Sequence, residues 1–231
     1  MTESADPRGR LSVVIPALNA AKELERTLGA LVTGGEVAEI IVVDGGSCDG
    51  SEAVARRFGA CLVETGRGRG VQLRAGAAVA KAEWLLFLHA DTRPDPGWTE
   101  AIAPFLSQPG LDHAAVFRLR LDDAARAARV VERGVAWRTR ALGLPYGDQG
   151  LLIPRRFYDA LGGYGPLPLM EDVDLVRRIG RRRIVPLDHA VTTSAARYVR
   201  DGYGRRIARN LSILTLYFLG VPPARLVRLY G

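Results

Sequence analysis

The sequence predicts an α/β fold in one domain, with a mostly parallel sheet flanked by helices and a helical C-terminal segment. Three observations lead there. Short apolar runs recur at 11–15, 40–43, 61–64 and 84–88, each closed by a proline or followed by polar, glycine-rich or acidic residues. Between them lie stretches with apolar residues three and four apart, the spacing of helices that cover a sheet. No linker, internal repeat or low-complexity segment divides the 231 residues, so one core serves the chain.

Leu11 to Ile15 is read as a first buried strand closed by Pro16. Asn19 is placed to cap a helix carrying Leu24, Leu28 and Leu31. Ile40 to Val43 is a second strand ending at Asp44, followed by the loop GGSCDG and a helix from Ser51 to Phe58. Cys61 to Glu64 is a third. The glycine-rich loop Gly66 to Gly70 presents Arg67 and Arg69, and a helix from Val71 to Ala82 follows. Trp84 to Thr92, WLLFLHADT, opens with five apolar residues and runs into His89 and Asp91. An uninterrupted run of that length reads as a parallel strand buried on both faces. Four strands alternating with three helices imply right-handed crossovers. Later elements are a helix from Trp98 to Leu106, a strand from Ala114 to Leu121, a helix from about Ala124 to Leu142, and a short strand at Leu151 to Ile153. A helical turn at Phe157 to Leu161, a helix from Glu171 to Ile179 and a last strand at Ile184 to Leu187 come next, and a mainly helical end broken at Gly220 and Pro222 closes the chain.

The formal charge is +7, almost all from arginine, since Lys22 and Lys81 are the only lysines. Arginine favours bidentate recognition of phosphate, which suits nucleotides, nucleic acids and acidic membranes alike. Cys48 and Cys61 share no metal-ligand spacing and make no disulfide framework, so a reducing cytoplasm is the expected compartment. The polar N-terminus MTESADPRGR lacks the apolar segment of a signal peptide. The longest apolar run, Leu211 to Val221, is about half of the ~20 residues that span a bilayer. Leu211, Leu214, Phe218 and Leu219 beside a basic flank suggest peripheral membrane contact or a homodimer through that segment, against plain packing on the core.

In open α/β sheets ligands collect beyond the carboxyl ends of the strands, so Asp44, His89 and Asp91 sit where chemistry is expected. A dinucleotide fold would need a glycine fingerprint after the first strand, where this chain has PALNAA. Arg67 and Arg69 are read as a loop offered to an anion. Asp91 and His89 form a weak protein site for a divalent ion, as expected where substrate phosphates supply further ligands; a turn-capping Asp91 and a buried histidine are the structural alternative. Glu171, Asp172 and Asp174 suit a helix N-terminus, and adjacent carboxylates of which one is buried also supply a general base.

In order, VIPALNA (14–20), VVDGGSCDG (42–50), GRGRGVQ (66–72), LFLHADT (86–92) and MEDVDL (170–175) resemble the family 2 glycosyltransferases of GT-A fold, a Rossmann-like architecture. GDQGLLIPR, TTSAARY and the C-terminal segment resemble a bacterial subgroup with HAD in place of D-x-D. The resemblance implies a nucleotide-binding half at 10–92, an acceptor and catalytic half at 93–200, and the helical segment at 201–231. It implies that Pro16, Asp44, Arg67, Arg69 and Ala90 hold the nucleotide, that Asp91 with His89 holds Mg2+ or Mn2+, and that Asp148 and Gln149 face the acceptor or sugar. Asp172, beside Glu171, would deprotonate the acceptor hydroxyl in an inverting in-line displacement. The chain departs from the common pattern at His89, where aspartate is usual, and at Ala20, where relatives often place glutamate.

Two rival readings remain at this point. A sugar-nucleotide pyrophosphorylase has a similar nucleotide-binding half but carries its glycine- and arginine-rich loop directly after the first strand. A basic nucleic-acid or membrane-surface protein would use Arg205, Arg206 and Arg209, although no aromatic residues interleave with them as single-strand binding requires.

Overall fold

A computed structural model describes residues 10–32, 37–108 and 112–230. Strands β1 (Leu11–Ala17), β2 (Val37–Asp44), β3 (Cys61–Glu64) and β4 (Trp84–Phe87) lie parallel in the order β3-β2-β1-β4. Every residue of β1 and β4 is buried, because both faces of the sheet are covered. The pleat sends alternate side chains to opposite sides. Leu11, Val13 and Ile15 meet Leu24, Leu28 and Leu31 of α1 (Ala21–Val32) and Ile102 of α4 (Trp98–Leu106). Val14, Ile41 and Val43 meet Leu73 and Ala77 of α3 (Arg69–Val79). Helix α2 (Ser51–Arg57) sits beside α1, with Ala55 in the first cluster.

The second half makes the sheet mixed. β4 pairs antiparallel with β7 (Leu151–Pro154), which pairs antiparallel with β6 (Ala114–Leu121). β8 (Ile184–Thr193) runs parallel to β6, and β5 (Thr92–Pro94) is antiparallel to β8, completing the order β3-β2-β1-β4-β7-β6-β8-β5. The strand of the WLLFLHADT stretch ends at Phe87, one residue short of its apolar run, which leaves His89 and Asp91 just beyond its carboxyl end as expected. The chain turns, with Thr92 N–H donating to His89 O at 3.1 Å, and resumes as β5 on the far edge. The last strand is also longer than the Ile184 to Leu187 expected, because an irregularity between Val116 and Arg118 lets it resume pairing from Ala190 to Thr193.

On the face of α3 lie α6 (Arg155–Ala160) and α7 (Glu171–Ile179), burying Phe157, Tyr158, Leu175 and Val176 against Phe87 and Tyr164. A third cluster joins the end of β6 to α5 (Arg126–Leu142) through Leu119, Leu121, Val131 and Val135. Tyr198 of α8 (Ala196–Asp201) and Tyr203 and Ile207 of α9 (Tyr203–Phe218) pack on it, and α10 (Pro223–Tyr230) follows. Leu211, Phe218 and Leu219 are exposed on this end of the chain.

Candidate active site

The carboxyl ends of β1 and β2 are laced together by the loops that follow them. Asp44 is the last residue of β2, buried beside Ala17, and its carboxylate accepts the N–H groups of Gly46 (2.8 Å) and Ser47 (2.7 Å) and the Ser47 hydroxyl. Asn19 does not cap α1. It takes a left-handed backbone, φ 49°, and its side-chain oxygen accepts the N–H of Cys48 at 2.9 Å. The first free N–H groups of α1 go instead to the loop after β2: Ala21 donates to Asp49 Oδ2 at 2.9 Å and Ala20 to Ser51 Oγ at 3.0 Å. Buried Gln72 of α3 donates through Nε2 to Ala17 O (2.7 Å) and Val43 O (2.8 Å), pinning both strand ends from beneath.

The glycine–arginine segment is less a loop than expected. Arg69 is the first residue of α3, and of the two arginines Arg67 alone lies ahead of the helix, exposed. A Cβ on Gly70 would stand 2.4 Å from Gly165 O and 2.9 Å from Leu167 O. Glycine is thus what lets α3 approach the 165–167 backbone. That approach brings Arg69 Nη1 to 3.3 Å from Glu171 Oε1, whose side chain is 2% exposed. Burial, and then the neighbouring Asp172 charge, hold the Glu171 carboxyl above its usual range, against the pull of Arg69.

The turn between β4 and β5 is held by Thr27 Oγ1, which donates to Ala90 O at 2.8 Å, and by Ser194 N–H, which donates to Asp91 O at 3.1 Å. His89 Nε2 is buried with no hydrogen-bond partner and faces Gly147; a Cβ there would lie 2.5 Å from it. Burial drives the imidazole pKa well below its ordinary value, and Arg69 and Arg197 push the same way, so His89 is neutral. Burial raises the Asp91 carboxyl, while Arg197 and Arg69 oppose it. Arg197 lies in the TTSAARY stretch but has no role assigned to it there; it stands in α8, more than a hundred positions from the residues it influences.

Gly147–Gln149 forms a single 3-10 turn before β7. Its Gly147 N–H donates to Asp172 Oδ2 at 2.9 Å, and Val173 N–H donates to Asp172 Oδ1 at 2.7 Å. Asp148 Oδ1 is buried and unpartnered. Burial first, with the charges of Asp172 and Asp91 adding to it and Arg138 and Arg69 opposing, pushes the Asp148 carboxyl up to about 6. Gln149, expected to face the acceptor or sugar, is buried. Its amide accepts from Thr139 Oγ1 (3.0 Å) and donates to Phe117 O (3.0 Å), so it secures the turn. Asp174 is likewise engaged, by Arg178 at 2.6 Å. Arg138 covers the Tyr146 ring at 3.4 Å from its centroid and donates to Leu144 O, fixing the approach to the turn.

The charges of Asp172, Asp91, Arg69 and Arg138 act on Asp148 and those of Arg69 and Arg197 on Asp91, so these groups share one neighbourhood beyond the strand ends. Among the described residues no three His, Cys, Asp or Glu side chains converge as a metal centre, so His89 and Asp91 stand as a pair. Residues 12–158 match the sequence model of Glycosyl transferase family 2. The chain belongs to that family. Membership displaces the nucleotidyltransferase and non-enzymatic readings. The chain is 30% identical over 118 residues to the glycosyltransferase AglE of Haloferax volcanii, covering 44% of this chain and 37% of that protein. It is 32% identical over 123 residues to the succinoglycan biosynthesis protein ExoU of Rhizobium meliloti, covering 50% and 35%. The matches thus span little more than a third of each relative's length. In fold, this family 2 member is similar to the mannosyltransferase PcManGT from Pyrobaculum calidifontis, solved with GDP-Man and Mn2+ (TM-score 0.64, 21% identity, 88% of this chain and 61% of that one). It is also similar to glucosyl-3-phosphoglycerate synthase from Mycobacterium tuberculosis, solved with phosphoglyceric acid (TM-score 0.58, 22% identity, 92% and 80%). Both likenesses show a shared GT-A-type fold.

Proposed function

We propose that this chain is an inverting glycosyltransferase that moves a sugar from a nucleoside-diphosphate sugar to an acceptor hydroxyl. One observation supports the reading above the others: Asp44, Arg69, the His89–Asp91 turn, Asp148 and Asp172, dispersed over the chain, converge beyond the strand ends of a family 2 domain. On this reading Pro16, Asp44 and Ala90 line the nucleoside site, while Arg67, Arg69 and Arg197 face the diphosphate. Neutral His89 and Asp91 suit a divalent ion, Mg2+ or Mn2+, whose remaining ligands come from the diphosphate. Such an ion supplies positive charge against the departing diphosphate. The structurally similar mannosyltransferase was solved with Mn2+, which supports that choice.

Asp172 is the proposed base, taking the acceptor proton as the anomeric bond breaks. Asp148 is a second reading, favoured by its unpartnered oxygen and a carboxyl near 6, since both Asp172 oxygens already accept backbone N–H groups. The free thiols of Cys48 and Cys61 support a cytoplasmic setting, and exposed Leu211, Phe218 and Leu219 support peripheral contact with the inner face of the membrane or a homodimer there. Calorimetry with uridine and guanosine diphosphates tests the donor site. Mn2+ is expected to tighten binding, and Asp91→Ala to remove most of that increment. Equal affinity across metals in both proteins would refute the metal role, and no binding of either nucleotide would refute the donor site.

A further inference from the structure

Helix α5 has two faces of different chemistry. Its inner face buries Ala128, Val131, Val135 and Thr139. At about 100° per residue the opposite face carries Arg126, Val130, Arg133, Trp137 and Arg140, all within roughly a quarter-turn arc and over ~21 Å of axis. All five side chains are exposed, Val130 at 62% and Trp137 at 64%. No acidic residue shares the arc. The helix's one carboxylate, Glu132, lies to the side, tied to Arg129 and to the N–H of Leu121. Arg126, Arg133 and Arg140 form no ion pair among the described residues, whereas other arginines of this surface, such as Arg129 and Arg200, are paired.

We propose that this face of α5 seats the protein on an anionic lipid bilayer, with Trp137 and Val130 in the headgroup region and the three arginines against lipid phosphates. An indole with one polar edge is suited to the bilayer interface, and arginines beside it reach anionic headgroups. Charge argues against a second copy of the chain as the occupant, since a two-fold axis on this face would set like arginines against one another. Nucleic acid would use the arginines but not Val130, whereas a bilayer takes up both. The proposal stands on the α5 face alone and does not depend on the sugar-transfer reading. Its consequence is orientation: Arg138 and Thr139 of the same helix anchor the 144–149 segment from the helix's side and inner face, so seating α5 on a bilayer fixes how the Asp148 turn is set relative to the lipid.

Fluorescence reads the contact directly, because Trp84 and Trp98 are 4% and 2% exposed and Trp137 is the one exposed indole of the three. With phosphatidylcholine vesicles containing phosphatidylglycerol, emission is expected to shift to the blue and iodide quenching to fall. Phosphatidylcholine alone is expected to do neither, and salt to weaken the effect. Arg133→Glu with Arg140→Glu is expected to lower vesicle affinity by roughly 25-fold or more, at about fivefold for each basic residue. Trp137→Ala is expected to reduce co-sedimentation. All of these positions are exposed, and unchanged thermal midpoints would confirm that the variants fold. The proposal is overturned by three results: no partition onto anionic vesicles at low salt, partition that survives the double arginine variant, or a dimer in light scattering that Trp137→Ala dissolves.

Discussion

Asp172 Oδ2 accepts the N–H of Gly147 at 2.9 Å, so the first turn of α7 holds the turn that carries Asp148. The two carboxylates are neighbours, and the charge of Asp172 adds to the burial that lifts Asp148. One of them can serve as base while the other shapes its surroundings.

Replacing Asp172 by Asn removes a base but keeps an oxygen able to accept one of the two N–H groups. General-base catalysis contributes about 10²- to 10⁴-fold in rate. Asp172→Asn is therefore expected to bind donor nucleotide nearly as wild type and to transfer sugar at least ~100-fold more slowly in single-turnover assays. If Asp172→Asn transfers within a few-fold of wild type while Asp148→Asn is slow, the base is Asp148.

The Asp148 carboxyl near 6, against an ordinary 3.8, has a consequence for stability. The native state binds this proton more tightly than the unfolded chain, so stability falls as pH rises from about 4 to about 6 and the full cost persists above that range. Asp148→Asn is expected to be more stable than wild type by ~1–2 kcal/mol at neutral pH, with the difference vanishing near pH 4. Urea unfolding of the two proteins across that range measures it; a gap that does not depend on pH would contradict the assignment.

Arg69 is the cation beside buried Glu171. Removing one partner of a buried pair leaves an uncompensated charge, which costs up to 3–5 kcal/mol. Arg69 is about a third exposed, so Arg69→Met is expected to cost less, ~1–3 kcal/mol at neutral pH. Glu171 already has a raised carboxyl, and losing Arg69 raises it further; the deficit therefore shrinks on acidification, as the residue takes up its proton. Arg69→Met combined with Glu171→Gln should recover most of the loss. Thermal melts at several pH values give the comparison, and an additive double variant would show that the two side chains are not coupled.

The glycines at 66 and 70 should respond differently to alanine. A Cβ on Gly70 meets backbone oxygens, while one on Gly66 meets open space. Gly70→Ala is expected to destabilise by about 3 kcal/mol and to weaken donor binding by displacing Arg69. Gly66→Ala should leave both nearly unchanged. Equal melting temperatures for the two variants would refute the close approach of α3 to the 165–167 segment.

Much of the fold is legible in local pattern. Helix α4 at Trp98–Leu106, strand β6 at Ala114–Leu121 and helix α7 at Glu171–Ile179 lie where apolar spacing sets them, because burial of one face imposes a period on the side chains that form it. The place of Asp44 at the carboxyl end of β2 was equally legible, and in a parallel sheet that end is the ligand side. Tertiary structure decided what no local period encodes. β7 enters antiparallel and makes the sheet mixed, and β5 crosses to the far edge, because partners for their backbone groups come from distant strands. Asn19 has the composition of a cap, yet Asp49 from the next loop takes that place. Arg155 closes the GDQGLLIPR stretch without an assigned role, and its guanidinium gathers the Ala77, Ala80 and Ala82 carbonyl oxygens at the end of α3. Gln149 sits in a motif that looks like a site and its amide is spent on the fold, whereas Gln72 and Arg197 lie in the GRGRGVQ and TTSAARY stretches without an assigned role, and the structure sets Gln72 across two strand ends and the charge of Arg197 on His89 and Asp91. A side chain's chemistry is written at its own position; its partner, as with Arg69 and Glu171 across 102 positions, is chosen only when helices and strands from both halves close on one another.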